Sequence, residues 1–274
     1  MTSINTNVGA LIARASAGGA TNRMERAMER LSSGLRVNSA ADDAAGLAVA
    51  GKMESQLRGI NMSIRNAQDG MGLIQTAEAG VNEIRNMVLR MRELAVQMAN
   101  GIYENTPDRT NAQLEVAALL EQVTLIATNT RFNDVAVIDG SFTGVTIQAG
   151  NTTGETITLS FADMQASGLG MSSTVATVVT QSDATVAMGT MSTVLQTIAQ
   201  EQAKFGSLIN RLDFSIANQS KASVMTEQAI GRVMDADFAT ETTQLSKEQI
   251  LNQAATSMLA QANQSKQSIL ALLQ

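Results

Sequence analysis

Histidine is absent from all 274 residues, and so are cysteine and tryptophan. Without histidine the chain loses the commonest general base and the commonest metal ligand of neutral solution. Without cysteine it can form neither disulfides nor a reactive thiolate, although that alone does not identify a compartment. Aromatic residues make up only 3% of the chain, and Pro107 is its single proline. The apolar share is nevertheless 44%, carried by Ala, Leu, Ile, Val and Met. Such a composition favours long helices packed closely along their lengths.

Two further absences narrow the function. The net charge is −6, whereas nucleic-acid binders show a basic face; no nucleic-acid partner is expected. No apolar run is long enough for a membrane span, and the start lacks a charged stretch followed by a greasy one. Neither a membrane partner nor a cleaved signal is therefore expected. Asp235, Asp237 and Glu241 do not follow calcium-loop spacing and lack its central glycine; they read as a helix start and its solvent face. Gly70 with Gly72, and Gly168 with Gly170, lack the glycine or lysine that a phosphate loop requires next. No nucleophile–base constellation occurs, so the chain reads as a non-enzyme without catalytic, metal or cofactor residues.

What is present is heptad-like apolar periodicity. Ile4, Val8, Leu11 and Ala15 step by four and three, which places them on one helical face. After residue 50 the longest stripe begins: Ile60, Ile64, Ala67, Met71, Ile74, Val81, Ile84, Val88, Met91, Ala95 and Met98, a rod of about 58 Å at helical rise. Residues 101–111 break it around Pro107. A second helix over 111–128, with Leu114, Ala118 and Leu125 among its apolar positions, folds back antiparallel across that short connection. Val145, Ile147 and Ala149, then Ile157, Leu159 and Phe161, alternate with polar residues on either side of a glycine-bounded turn, which predicts a β-hairpin at about 143–162. Residues 166–185, rich in Ser, Thr, Gly and Val, read as a surface connection. From Met191 the stripe returns through Leu195, Ile198, Gln202, Phe205, Ile209, Leu212, Ile216, Gln219 and Ser223, the polar members either lying in solvent, the favoured reading, or setting register on the seam. Leu251, Ala255, Met258, Ala262, Ile269 and Leu273 form the last stripe.

The two ends differ from the middle. Residues 1–22 carry one charge, Arg14, and residues 249–274 carry one, Lys266. A solvent-facing helix normally displays Lys and Glu, so even the polar faces of these ends are expected to meet protein. A chain whose ends need neighbours suits a self-assembling polymer better than a monomeric bundle.

Residues 31–50 join the first end to the rod. Arg26 and Arg30 load the end of one helix, and Gly34 can take the left-handed position that closes it. Ser39 with Asp42 matches the Ser-x-x-Asp capping pattern, and Asp42 and Asp43 set negative charge at the positive end of the next helix.

Several long blocks carry a family resemblance. SINTN (3–7), RLSSGLRVNSAADDAAGLAVA (30–50), IRNAQDGMGLIQTAEAG (64–80), LRMRELAVQMANG (89–101) and VMDADFATETTQLSKEQILNQAATSMLAQANQ (233–264) resemble, in order, the terminal blocks of bacterial flagellins. The resemblance covers nearly the whole chain. It implies a mainly α fold: a long antiparallel coiled-coil-like bundle with a small β-hairpin and the N- and C-terminal segments paired as helices. The implied domains are 1–42 plus 236–274 as the inner filament core and 43–235 as the outer rod. The short run at 166–185 leaves no room for the variable outer domains of longer flagellins.

The implied function is a structural subunit that self-assembles into the flagellar filament for swimming, secreted and extracellular. Ile4, Val8, Leu11, Leu251, Ala255, Met258, Ala262, Ile269 and Leu273 would assemble the core, with Gly34, Ser39, Asp42 and Asp43 at the joint. Implied partners are other subunits, the flagellar export apparatus, a chaperone on the C-terminal helix, and hook-associated and capping proteins. A host Toll-like receptor is a further implied partner, through Arg90, Glu93, Leu94 and Glu115, although Leu89 stands where recognised members often have Gln. Asp134 departs from the family's usual Gly after Phe-Asn, and Asn151 from a usual Gly-Ala segment. The rival readings are a hook–filament junction protein and a secreted adhesin or immune-stimulating ligand. A zinc-protease flagellin is disfavoured, because no His-Glu-x-x-His is present.

Overall fold

The computed structural model describes residues 6–271, with side chains described through Gln267. Ile4 and Leu273, and the side chain of Ile269, lie outside the described residues. Five long helices account for most of the chain: α1 (Val8–Ser33), α2 (Ala44–Met98), α3 (Thr110–Asn129), α4 (Gln181–Met234) and α5 (Phe238–Ala271). Four short strands lie between α3 and α4: β1 (Arg131–Phe132), β2 (Val135–Ala136), β3 (Val145–Gln148) and β4 (Thr156–Leu159). The chain packs as two compact units, one from the stretches 1–57 and 224–274, the other from 58–223.

The second unit is an antiparallel three-helix rod. Polar pairs between α2 and α4 run in opposite directions along the two helices: Arg92 to Ser192 at 3.1 Å, Asn82 to Gln202 at 2.6 Å, Asn61 to Ser223 at 3.2 Å. α3 is likewise antiparallel to α2, with Arg90 bonded to Glu115 at 2.9 Å and Arg109 reaching back to the Met98 carbonyl at 3.0 Å. The α2 stripe faces inward as its periodicity requires: Ile74, Val81, Ile84, Val88, Met91, Ala95 and Met98 are all buried. On α3 the buried face is instead Ala112, Val116, Leu120, Val123 and Ala127, while Leu114 and Leu125 are exposed. Several apolar side chains on both sides of that short helix made its inner face ambiguous in sequence.

The polar members of the α4 stripe are not simply in solvent. Gln202, Gln219 and Ser223 are half-buried and bond Asn82, the Ala149 carbonyl and Asn61. They pin α4 to α2 and to the hairpin, the register-setting role that a polar group on a helix seam can take.

β3 and β4 pair antiparallel, with Ile147 opposite Ile157 and Val145 opposite Leu159. Ile157, Leu159 and Phe161 all point into the core, where Phe161 stacks on Phe142 and meets the edge of Phe205, each at 5.0 Å between ring centres. The stretch 166–180 is not a loose surface connection. Ala166, Leu169, Met171, Ala176 and Val178 are buried, and α4 begins at Gln181, where Thr180 and Asp183 exchange capping bonds of 2.7 and 3.1 Å. Ser and Thr content concealed a set of small apolar residues that close the rod.

A second, tiny hairpin pairs β1 with β2 around Asn133 and Asp134, both left-handed, with φ of 49° and 63°. A two-residue turn of this kind asks for positive φ at both positions, and Gly at the second is the preferred solution. Asp134→Gly should therefore raise the stability of the rod by about 0.5–1 kcal/mol. Denaturant midpoints of the two proteins check this, and an unchanged or lowered midpoint would contradict the strain.

Candidate assembly surface

The first unit is organised around α1 and α5, which pack along one another antiparallel. Asn7 donates to the Ala262 carbonyl at 3.1 Å, Asn252 to Thr21 Oγ1 at 2.7 Å, Arg23 Nε to Glu248 Oε1 at 3.0 Å and Arg30 Nη1 to Glu241 Oε1 at 3.1 Å. The seam between them is alanine-rich on α1 and mixed on α5. On α1 the covered positions are Ala10, Ala13, Ala17, Ala20, Met24 and Ala27; on α5 they are Leu245, Glu248, Asn252, Ala255, Leu259 and Ala262. Both sets step by three and four, the coiled-coil rhythm. Alanine at these positions permits close approach of the helices, and the polar contacts fix one register.

This seam is rotated from the sequence-predicted stripe. Val8 is 54% exposed, Leu11 55% and Met258 65%, and Leu251 is also exposed; Ala255 is buried and Ala262 half-buried. Together with exposed Ile12 and Ile250, these large apolar side chains point away from the helix pair, while the alanines of the seam, with Met24, Leu245 and Leu259, hold it together. Periodicity located an apolar face on each helix but could not tell which of two adjacent faces meets the partner helix.

The breaks between helices are paired as well. Gly34 takes the left-handed conformation at φ 73° and its N–H bonds the Arg30 carbonyl at 2.9 Å, closing α1. The next residues lie beside the α4–α5 break: Arg36 N–H donates to the Met234 carbonyl at 2.6 Å, and Ala236 N–H to the Gly34 carbonyl at 2.9 Å. The Arg36 guanidinium adds a bond to the Val233 carbonyl. Val37, almost fully covered, fills the space beneath.

The start of α2 differs from the predicted cap. Ser39 and Asp42 do bond one another, with the Asp42 carboxylate accepting from Ser39 Oγ at 2.9 Å and Ser39 N at 3.0 Å. That closes a turn, however, and the helix begins at Ala44 with Asp43 as its cap, accepting from Gly46 N at 2.8 Å. Two overlapping capping signals stand in the sequence, and the later one starts the helix. Asp237 caps α5 in the same way, accepting from Ala239 N at 3.0 Å and Thr240 Oγ1 at 2.9 Å.

The bond from Thr240 holds the Asp237 carboxyl below its usual range, as Ser39 does for Asp42. The Asp237 cap and the Asp42 turn contribute above the ordinary carboxylate range and are lost as pH falls through the lowered values. Asp235, Asp237 and Glu241 form no metal-holding group, and none occurs among the described residues.

In the rod, Arg90 lies between Glu115 at 2.9 Å and Glu93 at 3.4 Å, all three exposed. Leu94 is only 5% exposed and belongs to the core.

Large apolar side chains displayed on a pair of helical ends, carried with a long antiparallel bundle, define a self-assembling structural protein. The comparisons name it. The model of the bacterial flagellin N-terminal helical region matches residues 4–143, and that of the C-terminal helical region matches residues 188–273. The flagellin of Halalkalibacterium halodurans is 38% identical over 98% of this chain and 99% of its own length. Flagellin FlaB2 of Treponema pallidum is 36% identical at the same coverage. The crystal structure of Bacillus cereus flagellin superposes with a TM-score of 0.50 and 33% identity, over 57% of this chain and 88% of that one. A putative flagellar hook-associated protein from Vibrio parahaemolyticus shares the fold at 12% identity and a TM-score of 0.59, over 71% of this chain and all of its own.

The chain belongs to the bacterial flagellin family. It is a structural subunit of the flagellar filament, an extracellular self-assembled polymer that serves motility. No helix among the described residues is long and apolar enough to cross a membrane.

Proposed function

We propose that α1 and α5 build the filament core, that residues 34–43 with 235–237 form a joint, and that the rod carries the outer wall. In this division 1–42 plus 236–274 is the inner domain and 43–235 the outer one. The observation that carries it is the outward display of Val8, Leu11, Leu251 and Met258 on helices already held together by alanine. These side chains remain available to neighbouring subunits, and Ile4, Ile269 and Leu273 are proposed with them from the sequence alone. Ala255 and Ala262 contribute by holding the pair.

The joint is supported by its hydrogen bonds. Gly34 supplies the turn, Asp43 starts α2, and Ser39 with Asp42 shapes the link between them. No atom lies within 4 Å of where a Gly34 side chain would stand, so a substitution there acts through backbone strain of about 1–2 kcal/mol. Gly34→Val should therefore impair filament formation and swimming while the rod melts as in wild type. Parallel loss of rod melting and motility would remove the joint from this scheme.

The further partners proposed are the flagellar export apparatus, a chaperone on the C-terminal helix, and hook-associated and capping proteins. A Toll-like receptor of a host would meet Arg90, Glu93 and Glu115, with Leu94 supporting them from within. Similarity to flagellins along the full chain favours the filament over the hook–filament junction or adhesin readings.

A further inference from the structure

The chain has no cysteine but 16 methionines, so thioethers are its readily oxidised sulfur. Most described methionines with large roles in the rod are sealed: Met91, Met164, Met171 and Met191 are at most 1% exposed. Met28, Met62, Met225 and Met258 are open, at 45%, 47%, 65% and 65%. Of these four, Met258 alone lines the apolar groove of about 550 Å³ that α1 and α5 form between them. Ile12, Ala13, Ala255 and Ala262 supply its apolar walls, and uncharged Ser16 and Gln261 its rim.

We infer that Met258 is an oxidative modification site, and that its sulfoxide blocks assembly of the subunit. The inference rests on the reading that α1 and α5 are the assembly surface, with a second copy as the occupant of this groove. Exposed Val8, Leu11, Ile250 and Leu251 on the same helix pair give that copy apolar side chains to place there. The oxidant is a hydroperoxide. The Met258 sulfur attacks the terminal oxygen, the O–O bond breaks as the S–O bond forms, and sulfur loses two electrons. With hydrogen peroxide, the oxygen now on sulfur gives up its proton, and the departing hydroxide takes one up and leaves as water.

The product turns a flexible apolar side chain into a polar one. In solvent this costs the monomer nothing. Against a neighbouring subunit the sulfoxide oxygen must be buried among Ile12, Ala13, Ala255 and Ala262, with Ser16 and Gln261 the donors nearest to hand at the rim, so part of its hydration is lost. The modification therefore acts at the association step, and the assembled filament shields the same sulfur from oxidant.

A competition experiment tests this with the full-length protein. Monomer is partly oxidised with hydrogen peroxide, seeded with filament fragments, and separated into polymer and supernatant; sulfoxide is then mapped by peptide mass. Met258 sulfoxide should be depleted about tenfold in the polymer, whereas Met225 sulfoxide should partition evenly. Met258 in preformed filaments should resist peroxide, and methionine sulfoxide reductases should return the excluded subunits to the polymer. Equal partitioning of Met258 sulfoxide, or its equally fast formation in filament and monomer, would overturn the inference. Untreated protein that failed to polymerise on seeds would overturn the assembly reading itself and this inference with it.

Discussion

Arg109→Ala should lower the stability of the rod by about 3–5 kcal/mol and its melting temperature by about 10 °C. The Arg109 side chain is 4% exposed, yet no carboxylate pairs with it among the described residues. Its guanidinium instead collects the loose ends of the α2–α3 turn. Nε donates to the Met98 carbonyl at 3.0 Å, Nη2 to the Asn100 carbonyl at 2.9 Å, and Nη1 to Asn105 Oδ1 at 2.8 Å and to the Tyr103 carbonyl.

One of those carbonyls, that of Met98, is the last of α2 and has no partner inside its own helix. Removing the guanidinium leaves the four acceptors unmet in a turn whose residues around Arg109 are largely exposed, each unmet acceptor costing about 1–3 kcal/mol, offset where water enters. Arg109→Lys should recover less than half of the loss, because an ammonium cannot spread donors in the planar fork that spans four acceptors. Thermal melting of the two variants measures both effects. A lysine variant as stable as wild type would mean that charge, rather than geometry, closes the turn.

The rod was the most legible part of the chain. Eleven apolar positions of α2 predict one face, and Ile74 through Met98 prove to be its core because a stripe so long admits only one inward side. The β-hairpin was equally legible, since period two on both sides of a glycine-bounded turn has no helical reading. Arg109 was not. Nothing local distinguishes it from a solvated arginine; its role exists only because the turn folds four oxygens around it. The stretch 166–180 was misleading for the opposite reason, as its Ser and Thr content outweighs the few small apolar residues that the rod encloses. At the helical ends the lack of charge directed attention to association. The rotation of each helix depended on alanine, which fits either a seam or a surface.

That rotation leads to a prediction in which the two partners of one ion pair behave oppositely. Glu248 occupies the same seam position as Ala255 and Ala262, seven and fourteen residues earlier by heptad repeat. It is 2% exposed; Oε1 meets Arg23 at 3.0 Å and Gln244 at 2.9 Å, and Oε2 has no partner. Arg23, in contrast, is half exposed. Arg23→Ala leaves a carboxylate inside the α1–α5 seam with Gln244 as its one remaining partner, which favours opening of the pair. Opening removes the surface on which neighbours dock, so the concentration needed for polymerisation should rise about tenfold or more.

Glu248→Ala removes the buried charge, returns Arg23 to water and extends the alanine seam. It should assemble at least as well as wild type. Arg23→Ala combined with Glu248→Ala should then recover what Arg23→Ala alone loses. Helicity of the monomers and sedimentation of seeded polymer across a concentration series read the outcome. Equal losses in both single variants would mean that the ion pair itself holds the terminal helices. The opposite signs expected here place that task on alanine packing, with Glu248 tolerated for the register it imposes.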